Sequence, residues 1–283
     1  MFTNDLLEGK RALITGGATG LGKAMARRFL ELGASVYICG RREDVLQEAV
    51  KELSAAATSG KVEGFRCDVR ELETVEESIA KIWEAGPLDI LVNNAAGNFL
   101  SRTEDLSPRA FEAVIGIVLT GTINMTMTVG RRWLAEKRGG TMLNIVATYA
   151  SSGSGSGYVV PSAMAKAGVL ALTRSLAVEW GPRGVRMNAI APGPIPTEGA
   201  FSRLMPKKEL EKLAVKRVPM RRFGTPEEIA NLAAYLVADG SSYINGEVVT
   251  MDGGEWLQGA GEFNFLGQML TDADWEMFRP KKK

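Results

Sequence analysis

The chain has 283 residues, 34 basic and 33 acidic side chains, a formal charge of +1, two cysteines and no histidine. Without histidine there is no Ser-His-Asp or Cys-His relay and no ordinary His-bearing zinc site, and two cysteines make neither a Cys₄ site nor a disulfide framework. No metal is expected, proton transfer at neutral pH must use Tyr, Lys, Asp, Glu or water, and the near-neutral balance argues against nucleic-acid binding.

The first ten residues carry Asp5 and Glu8 and do not read as a signal peptide. No apolar run is read as reaching the roughly 18–20 residues that a bilayer needs. Cytoplasmic location without membrane insertion is the expectation.

Short apolar runs at Arg11–Gly16, Ser35–Gly40, Val62–Asp68, Asp89–Ala95, Thr141–Ala147, Val185–Ala191 and Glu247–Met251 read as strands. Their near-continuous apolar content suits strands covered on both faces. Between them, Leu21–Leu32, Val45–Ala57, Val75–Trp83, Pro108–Glu136, Ala163–Trp180 and Pro226–Ala238 have helical periodicity. The alternation predicts a single α/β domain over residues 1–283: a doubly wound Rossmann fold with a seven-stranded parallel sheet. Thr197–Pro219 interrupts the rhythm and reads as a small helical lid. In the tail, Glu255–Lys283, the aromatics Phe263, Phe265, Trp275 and Phe278 suggest partial docking, and Cys39 and Cys67, in apolar runs, read as buried thiols.

After the first strand comes Thr15-Gly16-Gly17-Ala18-Thr19-Gly20-Leu21-Gly22, with the spacing G-x-x-x-G-x-G. Glycines let a pyrophosphate approach the main chain, and the following helix aims its N–H groups at the phosphates. A plain strand–helix turn would use the same glycines, but the position at the carboxyl end of the first strand favours a nucleotide. The second strand ends Ile38-Cys39-Gly40-Arg41-Arg42, with no acid at its tip. Arginine suits a 2′-phosphate, which a carboxylate would repel, so NADP(H) is expected, with Arg41 as its main contact.

With Asn93-Asn94-Ala95-Ala96-Gly97, Asp68-Val69, Pro192-Gly193 and Asp252-Gly253-Gly254, the chain resembles the short-chain dehydrogenases/reductases over most of its length. The resemblance implies that Asp68 and Val69 hold adenine, and that Asn94, Ala95 and Gly97 flank the cofactor. Pro192, Gly193, Pro194 and Ile195 would pass the nicotinamide carboxamide. The family's Tyr-x-x-x-Lys is altered: the lysine is Lys166, but Ser162 holds the tyrosine position, and Tyr158 lies eight residues before Lys166. Val118 stands where the family's helix asparagine is expected. A serine hydroxyl is a much weaker acid than a phenol, which argues against ketone reduction through that position.

Ala96-Gly97-Asn98-Phe99, Leu106-Ser107-Pro108, Tyr158-Val159-Val160-Pro161-Ser162, Gly199-Ala200-Phe201-Ser202-Arg203 and Gly261-Glu262-Phe263-Asn264 are similar to the mitochondrial-type 2,4-dienoyl-CoA reductases. That resemblance implies an acyl-CoA substrate and a catalytic tyrosine further upstream, at Tyr149. Tyr149 and Asn98 would hold the thioester oxygen, Lys166 the nicotinamide ribose, and Ser162 would orient Lys166. The Gly/Ser-rich segment Ser151–Gly157 is longer than the family's loop. Arg70, Phe99, Ser107 and Arg203 match substrate contacts, and a homotetramer is expected. Two other functions are weighed: trans-2-enoyl-CoA or 3-oxoacyl reduction, and a non-catalytic NADPH-binding protein.

Overall fold

The apolar runs pair with one another because each is too short and too apolar to stand alone. In a computed structural model of the chain, described for residues 2–151, 155–197, 208–260, 266 and 271–275, they form β1 (Arg11–Thr15), β2 (Ser35–Gly40), β3 (Val62–Arg66), β4 (Ile90–Asn93), β5 (Gly140–Ile145), β6 (Val185–Pro192) and β7 (Val248–Met251). All pair in parallel in the order β3-β2-β1-β4-β5-β6-β7. This is the expected Rossmann sheet. The winding reverses between β1 and β4, and a crevice opens at such a switch point, at the carboxyl ends of the strands.

Helices α1 (Gly20–Glu31), α2 (Glu43–Ser54), α3 (Leu72–Glu84), α4 (Pro108–Ile115), α5 (Gly121–Ala135), α6 (Val160–Trp180), α7 (Lys208–Arg217), α8 (Pro226–Val237), α9 (Glu255–Ala260) and α10 (Asp272–Trp275) connect or follow the strands. Successive strand residues point to opposite faces, so Ile14 and Leu13 enter different cores. Ile14, Val36 and Ile38 pack with Met25, Phe29 and Leu30 of α1 and Ile229 of α8. Leu13 and Leu91 pack with Ile79 of α3 and Met125 and Trp133 of α5. Each such side chain contributes roughly 1.5–3 kcal/mol by leaving water.

The strands predicted to reach Asp68 and Ala95 stop at Arg66 and Asn93. The chain leaves the ladder there because its amides find other acceptors: Asn94 and Ala95 N–H both donate to Thr15 Oγ1, each at 2.9 Å. α6 begins before the predicted Ala163, at Val160, where Pro161 suits a first turn. Within the predicted helix Pro108–Glu136, residues Gly116–Thr120 form a π-helical turn joining α4 to α5. The whole of Pro108–Ala135 is by length and composition apolar enough to cross a membrane, which corrects the sequence expectation. In the fold, Val118, Met125, Val129 and Trp133 of this stretch are buried. Of the predicted lid, α7 is described and its Leu210 and Leu213 are exposed. Phe201, Arg203, Leu204 and Met205, like Phe263, Phe265 and Phe278 of the tail, lie outside the described residues.

Candidate active site

Between β1 and α1 the glycine loop leaves the main chain uncovered. A Cβ at Gly17 would stand 2.5 Å from the Ile38 side chain, and one at Gly22 would stand 2.4 Å from the Gly16 carbonyl oxygen. Neither position can take a side chain without moving backbone or core. Among the described residues no side chain caps the first turn of α1, so its N–H groups face outward with the positive end of the helix dipole. The loop is pinned to its neighbours: Gly16 N–H donates to the Cys39 carbonyl at 2.9 Å, and Asn94 Nδ2 donates to the Thr15 carbonyl at 2.9 Å. In the sequence Thr197 stands at the start of the expected lid. Its side chain in fact lies 3.5 Å from where a Gly20 Cβ would be. Only the closure of the β6 loop onto the β1 loop reveals it.

That β6 loop is seated on the turn after β7. Gly193 N–H donates to the Met251 carbonyl at 2.9 Å, and a Cβ on Gly193 would meet Asp252 at 2.7 Å. Pro194 accepts from Gly224 N–H at 3.2 Å. Pro192, Gly193, Pro194 and Ile195 thus form the rim of the crevice.

Beyond β2 and β3 stand Arg41, Asp68, Val69 and Arg70. Arg70 grips Asp68: its Nε donates to the two carboxylate oxygens at 2.9 and 3.1 Å. That guanidinium holds the Asp68 carboxyl below the usual carboxylate range, with a smaller push from the Arg41 charge. The structure therefore puts Arg70, expected on the substrate, in a fork with an expected adenine residue. Asn124 of α5 donates to the Val69 carbonyl at 2.9 Å, which fixes this turn. Cys39 and Cys67 are free and buried beneath it.

The third group of side chains gathers where β4, β5 and α6 end or begin. Tyr149 lies in a one-turn 3₁₀ helix, Thr148–Ala150, after β5; Ser162 and Lys166 lie one turn apart on α6. Tyr149 Oη and Ser162 Oγ are 3.0 Å apart, and Asn98 Nδ2 donates to Tyr149 Oη at 3.5 Å. Asn98 is itself fixed, its Oδ1 accepting from Phe99 N–H at 2.9 Å. Lys166 donates to the Ile145 carbonyl. Ser162, expected to orient Lys166, is thus bonded to Tyr149, because a short side chain in the first turn of α6 meets the phenol before it can reach along the helix. Burial raises the Tyr149 phenol, against a smaller lowering by the Ser162 hydroxyl; burial also pulls the Lys166 amine down to about 8.

Other expected residues stand apart. Tyr158 is 65% exposed, at φ 66°, and its carbonyl accepts from Ser101 N–H. Phe99 packs against Val114, Val146 and Ala150. Ser107 is exposed at the N-cap of α4. Val118 is buried, and its carbonyl accepts from Thr122 Oγ1.

A family model described as enoyl-(acyl carrier protein) reductase matches residues 16–255, from the glycine loop to the turn after β7. The chain belongs to the short-chain dehydrogenase/reductase family. Within that family it is 49% identical over 253 residues to a Bacillus subtilis protein named "Probable 2,4-dienoyl-CoA reductase [(2E)-enoyl-CoA-producing]", covering 89% of this chain and 98% of that one. It is 47% identical over 261 residues to a Caenorhabditis elegans protein named "Probable 2,4-dienoyl-CoA reductase 3 [(3E)-enoyl-CoA-producing]", covering 90% and 83%. The crystal structure of a short-chain dehydrogenase from Bacillus anthracis matches with a TM-score of 0.79 at 45% identity, covering 87% of this chain and 96% of that one. As a family member the chain is an oxidoreductase, and its uncovered glycine cradle fits the dinucleotide that such enzymes use.

Proposed function

We propose that the chain is an NADPH-dependent 2,4-dienoyl-CoA reductase of fatty acid β-oxidation, yielding a trans-3-enoyl-CoA. The observation that carries this reading is the convergence of Tyr149 and Asn98 on one point, 3.5 Å apart, beside the helix that bears Lys166. NADPH supplies the hydride when bound. Gly16, Gly17, Ala18, Thr19, Gly20, Leu21 and Gly22 would cradle its pyrophosphate. Arg41 would take the 2′-phosphate, Asp68 and Val69 the adenine, and Asn94, Ala95 and Gly97 with Pro192–Ile195 the nicotinamide half. Lys166 would bond the ribose hydroxyls and add a positive field.

Two donors aimed at one oxygen stabilise charge that develops there. As the new C–H bond forms at C5, the displaced π pairs move through C4–C3 and C2–C1 to the thioester oxygen, which Tyr149 and Asn98 hold. The Tyr149 proton then passes to C2, the carbon next to that carbonyl, and C=O re-forms. C4 lies two bonds farther along the chain and away from the phenol, which favours the 3-enoyl isomer over the 2-enoyl. Arg70, Phe99, Ser107 and Arg203 are proposed as acyl-CoA contacts, Arg70 after release from Asp68. A cytoplasmic homotetramer is part of the same reading.

The test compares NADPH oxidation with 2,4-hexadienoyl-CoA, crotonyl-CoA and acetoacetyl-CoA, with the product isomer read by NMR in D₂O. Preference for the dienoyl substrate with deuterium at C2 is expected. Preference for either other substrate would make the chain a 2-enoyl or 3-oxoacyl reductase, no turnover a nucleotide-binding protein, and deuterium at C4 a 2-enoyl producer.

A further inference from the structure

Cys39 and Cys67 are the two cysteines of the chain, both are free, and the chemistry proposed above uses neither. They stand on neighbouring parallel strands. Cys39 pairs with Phe65 in the β2–β3 register and Cys67 lies two residues past Phe65, so both side chains point to the same face. Both enter the core that Val75 and Ile79 of α3 close. Cys67 N–H donates to the Gly40 carbonyl at 2.9 Å, and Cys67 Sγ lies 3.8 Å from Thr74 Oγ1 in the first turn of α3. Hydrogen bonding to the Cys39 thiol lowers the Cys67 thiol against the opposing effect of burial, with smaller help from Thr74 and Ser78. The same contact, with burial, raises Cys39. One sulfur is thus the readier nucleophile while the other keeps its proton, as in an attacking and a resolving thiol.

The pair is also built into the cofactor cradle. The Cys39 carbonyl accepts from Gly16 N–H of the glycine loop at 2.9 Å, Arg41 is two residues farther on, and Cys67 directly precedes Asp68 and Val69. We infer that Cys39 and Cys67 are a modification site, a dithiol that a hydroperoxide oxidises to a reversible disulfide, and that this disulfide weakens NADPH binding. The second part rests on the cofactor reading proposed above. Cys67 lies one residue past β3 between the exposed Arg66 and Val69-Arg70, so a small opening of that turn admits a peroxide. The Cys67 thiolate attacks the O–O bond, giving Cys67 sulfenic acid and a hydroxide that takes up the proton Cys67 had shed. The Cys39 sulfur then attacks Cys67: the S–S bond forms, the S–O bond breaks, and water leaves with the Cys39 proton. Two thiols are oxidised and one peroxide is reduced to two waters. A diagonal step between neighbouring strands puts the two Cα atoms about 8 Å apart, beyond the roughly 4.4–6.8 Å of a disulfide. The tips of β2 and β3 must therefore shift to close the bond, carrying Arg41 and Asp68 away from their reduced positions. Strain of that kind keeps a disulfide easily reduced by a dithiol.

The test treats the reduced, folded protein with hydrogen peroxide, alkylates it with iodoacetamide in denaturant and weighs it by mass spectrometry. Melting temperature and NADPH binding are followed alongside. A single-chain mass two hydrogens lighter, with no alkylated thiol, is expected. The NADPH Kd is expected to rise about tenfold, the loss of one charge-assisted contact, and to recover with dithiothreitol. Cys39→Ala is expected to stop at the Cys67 sulfenic acid, which dimedone traps, and Cys67→Ala to keep its remaining thiol at the same peroxide dose. Two alkylated thiols after peroxide, a disulfide joining two chains, or oxidation of Cys39 in Cys67→Ala as fast as in wild type would overturn the inference. So would a folded, disulfide-bonded protein whose NADPH Kd moves less than about 3-fold. Reduced protein that binds NADH but not NADPH would overturn the cofactor reading instead, and the mass would still decide the disulfide.

Discussion

The side-chain amide of Asn144 donates to the Thr173 hydroxyl at 2.8 Å, tying the end of β5 to the helix that carries Lys166. Asn144 Oδ1 in turn accepts from Asn93 Nδ2 at 2.9 Å, and Asn93 Nδ2 also donates to Thr126 Oγ1 at 3.1 Å. All four side chains are buried. Asn144 precedes Ile145, whose carbonyl accepts from Lys166, and Thr173 lies two turns along α6 from Lys166. One polar chain therefore sets the axial positions of the elements bearing Asn98, Tyr149 and Lys166.

Breaking that chain strands a buried amide, which costs about 1–3 kcal/mol. Asn144→Leu and Thr173→Val are each expected to destabilise by that amount in urea titrations. Because both remove the same bond, the double variant is expected to lose less than the sum, by about 1 kcal/mol. Additive losses would show that the two residues are not coupled.

Tyr149→Phe is expected to lower dienoyl-CoA turnover by on the order of 10²–10³-fold, the usual loss of one oxyanion donor, while leaving NADPH binding intact. Tyr158→Phe is expected to stay near wild type, since its side chain is solvent-exposed and its backbone bond from Ser101 survives the substitution. Stopped-flow turnover with fluorescence binding separates the two, and reversed effects would move the proposed acid to Tyr158.

The strands were legible because most are near-continuous apolar runs bounded by Gly, Pro or a charge, with β3, which carries Glu63 and Arg66, the most polar of them. Strand ends were less so. Asn94 and Ala95 look like strand continuation until the Thr15 hydroxyl, 79 and 80 residues earlier, captures their amides. The glycine cradle was visible as spacing, since its job is local. Tyr149 came from resemblance alone; nothing in its flanks announces a phenol bonded to Ser162. The resemblance implied that Ser162 orients Lys166, and only the folded β5–α6 corner shows its hydroxyl against the Tyr149 phenol. Thr197 and Asn144 carried no local signal at all.

Lys166 places a cation in a buried position, and burial lowers its pKa from the ordinary lysine value of about 10.5 to about 8. The folded state then sheds its proton near pH 8 while the unfolded chain keeps it until about 10.5, so between those values the unfolded state binds more protons and stability from this residue rises with pH. Below pH 8 the cost of the buried charge is fully present, on the order of 3 kcal/mol. Lys166→Met is therefore expected to melt higher than wild type at pH 7, with the difference narrowing above pH 8. Cofactor affinity should move oppositely in wild type, weakening as pH rises through about 8 and the positive charge is lost. A wild-type NADPH Kd that is flat from pH 7 to 9 would show that the amine's charge plays no part in binding.

Arg41 stands exposed after β2, near enough to Asp68 for its charge to favour the ionised carboxyl. Before the acyl-CoA binds, Asp68 is held by the Arg70 fork, so the 2′-phosphate can recruit Arg41 without leaving that carboxylate unpaired. A charge-assisted bond contributes about 1.5–3 kcal/mol, and 1.4 kcal/mol is tenfold in affinity. Arg41→Ala is thus expected to raise the NADPH KM by roughly 10–100-fold and to change that of NADH by less than about 3-fold. NADH lacks the 2′-phosphate and has nothing for the guanidinium to lose. The ratio of the two KM values is the measurement, because a misfolded loop would raise both together. Salt supplies a second check, since an exposed charge pair is screened at high ionic strength. Wild-type preference for NADPH should narrow as salt is added, whereas the Arg41→Ala ratio should stay level.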